Sequence, residues 1–424
     1  MMFDKTVAHF SDLYRPKIDG VSVSLELLHD ELGRLQVCSD YYVPKTPGQY
    51  VDPDNVFRFS SVPLLLQPEV RFSVPVDPAN LTRAYSRHYD IVHMHSPGSM
   101  GLMAWQVAKL HNLPLVHTYH AFYPEYRHYL FDGKVVSEHA MNELSRWWAQ
   151  RSDMIIAPSK KIYDWLLDIG VTRPMHVIPS GIQTERYETD RVKPSYLVKK
   201  GFVAPEDVVL LFVGRIASEK ALDKLLEYSS RLPKDVLGQV KLVIVGGGSE
   251  LAHYEEKASS LGIGEKVVFT NYVPVQDMPL VYASADVFTF LSTSETQGLV
   301  VTEALASGLS VVLSDDNAYC GMVNEGENGF TVHDESSFVA SISSLVLDKE
   351  QREAFSVQSR ILSKQFDIAI TTQKLLLVYD QTITDYREKH GSARFVKTTL
   401  EQYRDLIKKG MVELQSKLKQ YVPS

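Results

Sequence analysis

The sequence predicts an α/β protein made of two halves, each with a mainly parallel β-sheet covered by helices. Short uninterrupted apolar runs, the pattern of strands buried on both faces, alternate with segments of helical periodicity. This alternation occurs twice, before and after a polar, proline-containing stretch at residues 184–195, which is expected to be the linker. A chain of 424 residues is long enough for two such domains.

The predicted strands of the first half are residues 6–10, 91–95, 115–119, 154–157 and 176–178, with intervening helices that include 21–32 and 134–150. Those of the second half are residues 208–213, 241–245, 266–270, 287–291 and 310–313. In an open α/β sheet, ligands bind at the carboxyl ends of the strands. The residues that follow each strand are therefore the first candidates for a site.

Composition narrows the class of protein. The chain is 44% hydrophobic and 23% charged, as in globular proteins, and its net charge of −8 gives no indication of nucleic-acid binding. Its two cysteines argue for a reducing compartment and against a disulfide framework or a zinc site. The N-terminus lacks the pattern of a secretion signal, and no apolar run approaches the roughly 18 residues of a spanning helix. We expect a cytoplasmic protein, with a peripheral position at the inner face of the cell membrane left open.

The segment after the predicted strand 287–291 holds two acids. Glu295 lies at the carboxyl end of that strand, and Glu303 is expected about two turns into the following helix. The backbone amides of Gly298, Leu299 and Val300 would lie at the start of this helix, where an anion is favoured. Carboxylates beside an anion site suit a nucleotide sugar, whose hydroxyls need acceptors and whose diphosphate needs donors.

A second segment supplies positive charge. The buried strand 208–213 runs into Gly214, which allows close backbone approach, and then into Arg215 and Lys220, which can reach the space above the strand. Each segment alone also fits a solvated loop or a helix-capping acid. Their co-occurrence at carboxyl ends of strands in one half favours a functional site.

These motifs resemble those of a known family. The Gly214-Arg215-x4-Lys220 loop, the Glu295-x7-Glu303 segment and the three-glycine turn at residues 246–248 together are similar to the retaining glycosyltransferases of family four, from Val7 to about Asp385. The resemblance implies the GT-B fold, with two Rossmann-like domains facing a deep crevice. The expected domains are residues 1–188 for the acceptor and 189–370 for the donor, then a helix at 371–390 that crosses back and a helical tail at 391–424.

The resemblance also implies roles for residues. Arg215 and Lys220 would stabilise the departing nucleoside diphosphate, Glu295 would contact the transferred sugar, and Glu303 would bind the ribose hydroxyls. The full expected donor site is Gly20, Val21, Gly214, Gly247, Gln297, Gly298, Leu299, Val300 and Glu303. For Gly20 and Val21, at the predicted start of the helix 21–32, an ordinary loop before a helix is an equal alternative.

His120 is the remaining catalytic candidate. It follows the strand 115–119, and the Thr118-Tyr119-His120 run resembles the family pattern in which a histidine contacts the transferred sugar. A lone histidine at a strand end is otherwise more often structural. His93 and His95 have a metal-like spacing, but His93 is expected to be packed inside the sheet.

No metal and no cofactor are expected, because Arg215, Lys220 and helix N-termini can neutralise a diphosphate. Asp52-Pro53-Asp54 matches the letters of an Asp-x-Asp metal motif. Alternate acids around a proline are usually turn chemistry, so this match carries little weight.

The aromatic run at residues 117–129 resembles the corresponding region of bacterial diacylglycerol glucosyltransferases. Its tyrosines, with a basic residue, would form an amphipathic surface of the kind found at lipid interfaces, although core packing is the alternative. Acceptor contacts are therefore expected from Asp19, Tyr123, Tyr126 and Arg127.

The predicted activity is transfer of a hexose, glucose from UDP-glucose, to a lipid hydroxyl, above all that of diacylglycerol, giving an α-glycosyl glycolipid at an anionic membrane surface. Transfer to a phosphatidylinositol, a small metabolite or a glycan stays open. So do a nucleotide-sugar 2-epimerase of the same fold and a non-catalytic binding protein.

The tail carries an apolar stripe at helical spacing and seven basic against three acidic residues over 392–424. A basic amphipathic helix can lie on an anionic membrane. Docking on the first domain or a coiled coil that forms a homodimer are the alternatives.

Overall fold

The computed structural model describes residues 4–16, 19–48, 50–63, 71–74, 77–122, 137–189 and 195–391, together with Asp405, Lys409, Val412 and Ser416. The chain divides into two compact units. The first comprises Met1–Gly181 with Thr371–Ser424, and the second comprises Ile182–Ile370.

The first unit contains a seven-stranded parallel sheet in the order β3-β2-β1-β6-β7-β8-β9. Its strands are β1 (Thr6–Phe10), β2 (Cys38–Pro44), β3 (Val56–Phe59), β6 (Ile91–Met94), β7 (Leu115–Thr118), β8 (Met154–Ala157) and β9 (Met175–Val177). A separate antiparallel pair is formed by β4 (Ser61–Pro63) and β5 (Arg71–Ser73). The helices are α1 (Gly20–Arg34), α2 (Pro78–Ser86), α3 (Ser99–His111), α4 (Glu138–Ala149) and α5 (Lys160–Asp168).

Alternate residues of β1 enter two different cores, because successive side chains of a strand point to opposite faces. Ala8 and Phe10 pack with apolar residues of α3. Val7 packs on the other face with Leu375, Tyr379 and other apolar residues of the terminal helix, which extends from Ile368 to His390. Both faces of the sheet are thus covered, as in other parallel sheets.

The second unit contains a six-stranded parallel sheet in the order β12-β11-β10-β13-β14-β15. Its strands are β10 (Val208–Val213), β11 (Val240–Val245), β12 (Val267–Phe269), β13 (Val287–Phe290), β14 (Ser310–Ser314) and β15 (Gly329–Val332). Its helices are α6 (Thr184–Tyr187), α7 (Tyr196–Lys199), α8 (Leu222–Ser230), α9 (Lys234–Gln239), α10 (Leu251–Ser260), α11 (Met278–Ala283), α12 (Leu299–Ala306), α13 (Glu335–Leu347) and α14 (Lys349–Ser363). The terminal helix α15 (Ile368–His390) belongs to the first unit from Thr371 onward. The predicted α/β class with two Rossmann-like sheets is confirmed.

The structure differs from the prediction where the linker was expected. Ile182 pairs with Asp367, and the short helix α6 buries Tyr187 in the core of the second unit. Residues 182–189 are therefore part of a folded domain. The polar composition of this segment gave no indication that Tyr187 is buried in the core.

The tail at residues 391–424 lies almost entirely outside the described residues. The four tail residues that the structure does describe beyond Gly391 are helical. Membrane binding, docking and homodimer formation by the tail all stay predictions. Within the described ranges, no helix combines the length and the apolar character needed to cross a membrane.

Candidate active site

A partly buried ion pair joins the two segments singled out in the second unit. The Lys220 ammonium group donates to a Glu295 carboxylate oxygen at 2.5 Å, and the two side chains are only 16% and 19% exposed. Arg215, which is half exposed, pairs with Glu219 at 2.6 Å. The structure thus brings together Lys220 and Glu295, as predicted from their positions after β10 and β13.

Serine hydroxyl groups hold these two loops against each other. Ser292 and Ser294 both donate to the backbone carbonyl of Glu219, at 3.2 and 3.0 Å. The Tyr319 hydroxyl in turn donates to the carbonyl of Ser292 at 2.6 Å. The position of Glu295 relative to Lys220 is therefore fixed by several bonds to backbone atoms, not by the ion pair alone.

Gly298 is the N-cap residue of α12, the helix that follows this loop. Its φ of +79° is in the left-handed region, and a Cβ there would lie 2.9 Å from the Tyr319 ring. Among the described residues, no side chain caps the start of α12, so the amides of Leu299 and Val300 are placed to meet a ligand. Helix α12 begins at Leu299, so Glu303 lies about one turn into the helix, whereas about two turns were expected.

A tyrosine hydroxyl group holds Glu303. The Tyr282 hydroxyl donates to a Glu303 carboxylate oxygen at 2.7 Å, and Tyr187, whose ring packs edge-on against that of Tyr282, lies near this carboxylate. Burial raises the pKa of Glu303, while the Tyr282 hydrogen bond, the Tyr187 hydroxyl and the nearby Arg186 lower it. Opposing effects of this kind leave the charge of Glu303 sensitive to the loss of either hydroxyl group.

The glycines at residues 246–248 are required by close packing. A Cβ on Gly246 would lie 1.9 Å from the carbonyl oxygen of Gly214, and one on Gly248 would lie 1.9 Å from that of Ile216. The carbonyl of Gly247 accepts a hydrogen bond from the Ile216 amide at 3.0 Å. The turn after β11 is thus packed directly on the loop that carries Arg215.

The first unit presents the start of α1. The Asp19 carboxylate caps this helix by accepting from the Ser22 amide at 2.8 Å. Within the described part of the chain, this cap leaves the amides of Gly20 and Val21 as the ones that an anion would meet. The structure therefore assigns Asp19 a role in helix capping, whereas Tyr123, Tyr126 and Arg127 lie outside the described residues.

His120 is partly buried and lies at the end of a group of buried histidines in the first unit. Its Nε2 is 3.1 Å from Nδ1 of His95, whose Nε2 is 3.0 Å from Nδ1 of His9. Burial lowers the pKa of His120 to about 4, although the Asp19 carboxylate acts in the opposite direction. The His120 ring is therefore neutral at physiological pH. His93 is packed inside the sheet, as expected, and hydrogen-bonds to Tyr379 and Thr118.

The metal question has two parts. Side-chain nitrogens of His9, His93 and His95 lie within 4.8 Å of one another, close enough for a metal ion. Both nitrogens of His93 are, however, already hydrogen-bonded. Both oxygens of Asp52 accept from Arg58, at 2.6 and 2.8 Å, so the first acid of the Asp-x-Asp match is paired with a guanidinium group.

Several participants had no signal in the sequence. Tyr187 and Tyr282 contact Glu303 from 116 and 21 positions away. His9 is at the end of an ordinary apolar strand. Tyr282 is close enough to Glu303 in the sequence to lie on a neighbouring element, but no periodic pattern distinguishes Tyr282 from other tyrosines.

Comparison with known proteins gives the family. The model described as "Glycosyltransferase Family 4" matches residues 18–186, and the model described as "Glycosyl transferases group 1" matches residues 197–361. The chain is 30% identical over 338 residues to an α-monoglucosyldiacylglycerol synthase of Streptococcus pneumoniae, covering 78% of this chain and 76% of the relative. A D-inositol 3-phosphate glycosyltransferase of Rhodococcus jostii is also 30% identical, over 75% of this chain and 73% of that protein.

Solved structures agree on the fold. The Anabaena protein HepE in complex with UDP-glucose superposes with a TM-score of 0.69 at 18% identity, over 89% of this chain and all of that one. The parallel sheets, the Lys220–Glu295 pair and the family matches lead to one conclusion. The chain belongs to the glycosyltransferases of family four and has the GT-B fold.

Proposed function

We propose that this chain is a retaining hexosyltransferase that moves glucose from UDP-glucose to the free hydroxyl of diacylglycerol. The observation that carries the proposal is the Lys220–Glu295 pair beside Arg215, at the carboxyl edge of the second sheet. The similarity to a diacylglycerol-modifying relative over most of both chains supports the lipid acceptor.

On the donor side, Arg215 and Lys220 stabilise the negative charge that develops on the departing UDP. Glu295 accepts from hydroxyls of the transferred sugar, and its bond to Lys220 fixes its position for that contact. Glu303 accepts from the ribose hydroxyls. The amides of Leu299 and Val300 at the start of α12 donate to the diphosphate. These cations and amides neutralise the leaving group in place of a divalent metal ion.

The reaction replaces one bond at the anomeric carbon with another on the same face. The bond from that carbon to the β-phosphate oxygen breaks, and a bond to the acceptor oxygen forms. The acceptor proton passes to the leaving phosphate oxygen, so that UDP departs and the anomeric configuration is retained. His120, neutral because its pKa is low, forms a hydrogen bond with the sugar.

Diacylglycerol is a membrane lipid, so the enzyme must work at a membrane surface. The basic excess in the sequence of the tail favours an anionic one. The second candidate acceptor is an inositol phosphate, which the similarity to the Rhodococcus protein favours.

Transfer of labelled glucose tests the proposal. The purified chain is incubated with UDP-[14C]glucose and dioleoylglycerol in mixed micelles with phosphatidylglycerol, with and without EDTA. We expect an EDTA-insensitive glucosyl lipid, α-linked by NMR. A β-linked product contradicts retention. A product with inositol 3-phosphate but none with lipid selects the second candidate, and isomerised nucleotide sugar without an acceptor selects the 2-epimerase.

A further inference from the structure

Three histidines cross the first sheet in a single line. His9 lies in β1, His95 directly follows β6, and His120 lies two residues after β7. These three strands are neighbours in the sheet, in the order β1-β6-β7. The three side chains therefore come from adjacent strands and approach one another near the edge where ligands bind.

The contacts connect the rings end to end. His9 Nδ1 lies 3.0 Å from His95 Nε2, and His95 Nδ1 lies 3.1 Å from His120 Nε2. Neighbouring rings along the line are 5.3 and 5.4 Å apart at their centroids, with an interplanar angle of 25° in both pairs. In each contact, one ring nitrogen must carry the hydrogen and donate it, and the other must accept it.

Burial keeps all three rings neutral. It lowers the pKa of His9 to about 3 and that of His120 to about 4, and it lowers the pKa of His95 well below its usual value. A neutral imidazole has one N–H and one accepting nitrogen. Both bonds must therefore point the same way, so that either all three rings carry the proton on Nδ1 or all three carry it on Nε2.

The outer end of the line decides between these two arrangements. His9 Nε2 is buried and has no partner among the described residues. If the protons were on Nε2, His9 would bury an unsatisfied N–H donor, which is rare in folded proteins. With the protons on Nδ1, His9 leaves only an accepting nitrogen there.

We propose that His9 and His95 are positioning residues that hold His120 in its Nδ1–H tautomer. This inference rests on the proposed function, because it concerns how His120 meets the transferred sugar. The ring presents Nδ1–H as a donor to a hydroxyl oxygen of a hexose, while Nε2 is occupied by His95. This donor fixes the orientation of the hexose hydroxyl group that accepts from it. The bond between Nε2 and His95 also suppresses rotation and tautomer exchange of the His120 ring.

Tyr379 provides a control in the same cluster. Its hydroxyl bonds to Nδ1 of His93, whose other nitrogen bonds to Thr118 at 2.7 Å. His93 is as buried as His9 and its ring lies 3.9 Å from that of His95, but its nitrogens are outside the line. Tyr379→Phe removes a buried bond without interrupting the bonds from His9 to His120.

Long-range ¹H–¹⁵N NMR on histidine-labelled full-length protein tests the proposal, with the His120 signals assigned by His120→Gln. In the wild type we expect a pyrrole-type Nδ1 and a pyridine-type Nε2. In His9→Phe and His95→Phe we expect the two His120 shifts to approach each other. His9 stacks on Tyr41 at 4.6 Å, so phenylalanine keeps that contact. Tyr379→Phe should leave the His120 signals unchanged.

Kinetics provide the second readout. We expect His9→Phe to lower kcat by about tenfold, the loss expected when one orienting hydrogen bond of ordinary strength is absent. KM for UDP-glucose should change by less than about twofold. An Nε2–H tautomer in the wild type overturns the proposal, and so does a His120 spectrum indifferent to His9→Phe. The wild-type spectrum decides the tautomer even if a variant fails to fold, and it needs no turnover. A locked tautomer in an inactive protein would contradict only the proposed function.

Discussion

Removing the Tyr282 hydroxyl should change how the protein binds UDP. The hydroxyl donates to Glu303 at 2.7 Å, with the Val300 carbonyl oxygen as a more distant acceptor at 3.4 Å, and the ring is fully buried, so Tyr282→Phe removes this donor and preserves the packing. A hydrogen bond to a charged group contributes about 1.5–3 kcal/mol. Because the bond favours the ionised carboxylate, its loss should raise the pKa of Glu303 further above its usual value.

The sign of the pH effect follows from the proposed role of Glu303. An ionised carboxylate accepts from both ribose hydroxyls, whereas a protonated one has lost part of that capacity. Burial already raises the pKa of this group, so UDP affinity should fall as the solution becomes more acidic. In Tyr282→Phe the fall should begin at higher pH than in the wild type. Kd for UDP should then be weaker by about tenfold in the acidic part of the range and closer to wild type at its alkaline end.

Isothermal titration calorimetry of UDP between pH 5.5 and pH 8 measures this shift. Tyr254→Phe is the matched control. The Tyr254 ring is also fully buried, and its hydroxyl donates to the Asp223 carboxylate of the second unit at 3.0 Å. Both variants should lose stability, but only Tyr282→Phe should change the pH profile of binding. A wild-type profile in Tyr282→Phe would refute the reasoning.

Three further outcomes are expected. Lys220→Met should lower kcat by about 10²–10³-fold, since it removes a group that stabilises transition-state charge. Lys257→Met, which breaks the pairs with Asp223 and Glu227, should not, and equal losses in transfer assays would contradict this. The buried histidines bind a proton near pH 6.5 only after unfolding, so stability should fall below that pH by about 1.4 kcal/mol per unit for each; a thermal midpoint unchanged from pH 7 to pH 5 would refute it. Gly248→Ala should destabilise the protein by about 1–3 kcal/mol, because its Cβ would lie 1.9 Å from a carbonyl oxygen, while Gly238→Ala, with open space around it, should be neutral or stabilising in urea melts.

The fold was accessible from the sequence where strands are uninterrupted apolar runs. Strands β1, β8 and β10 have the predicted limits, since both of their faces are buried and all positions except Thr6 and His9 in β1 are apolar. Strand β2 was not predicted, because it begins with Cys38, Ser39 and Asp40. Asp40 is buried there only because Arg83 and Arg87 pair with it from more than 40 positions away.

The candidate site likewise contains residues that the sequence identified and residues that only the fold brings together. Glu295 and Lys220 were identified because each lies in the segment that follows a strong strand, and the sheet order brings those strand ends together. The partners of Glu303 and the line from His9 to His120 depend on which strands are neighbours and which faces meet, and local pattern does not encode either. Tyr187 was hidden further by a polar segment that looked like a linker.

Release of UDP from UDP-glucose by the full chain tests the central claim most directly. It is measured with and without diacylglycerol in mixed anionic micelles, for wild type and for Glu295→Gln. Glu227→Gln is the control, because Glu227 is also a glutamate that pairs with a lysine, Lys257. The account predicts release that depends on the lipid, falls by about 100-fold in Glu295→Gln and persists in Glu227→Gln. Absence of lipid-dependent release in the wild type, or equal release in Glu295→Gln, would contradict it.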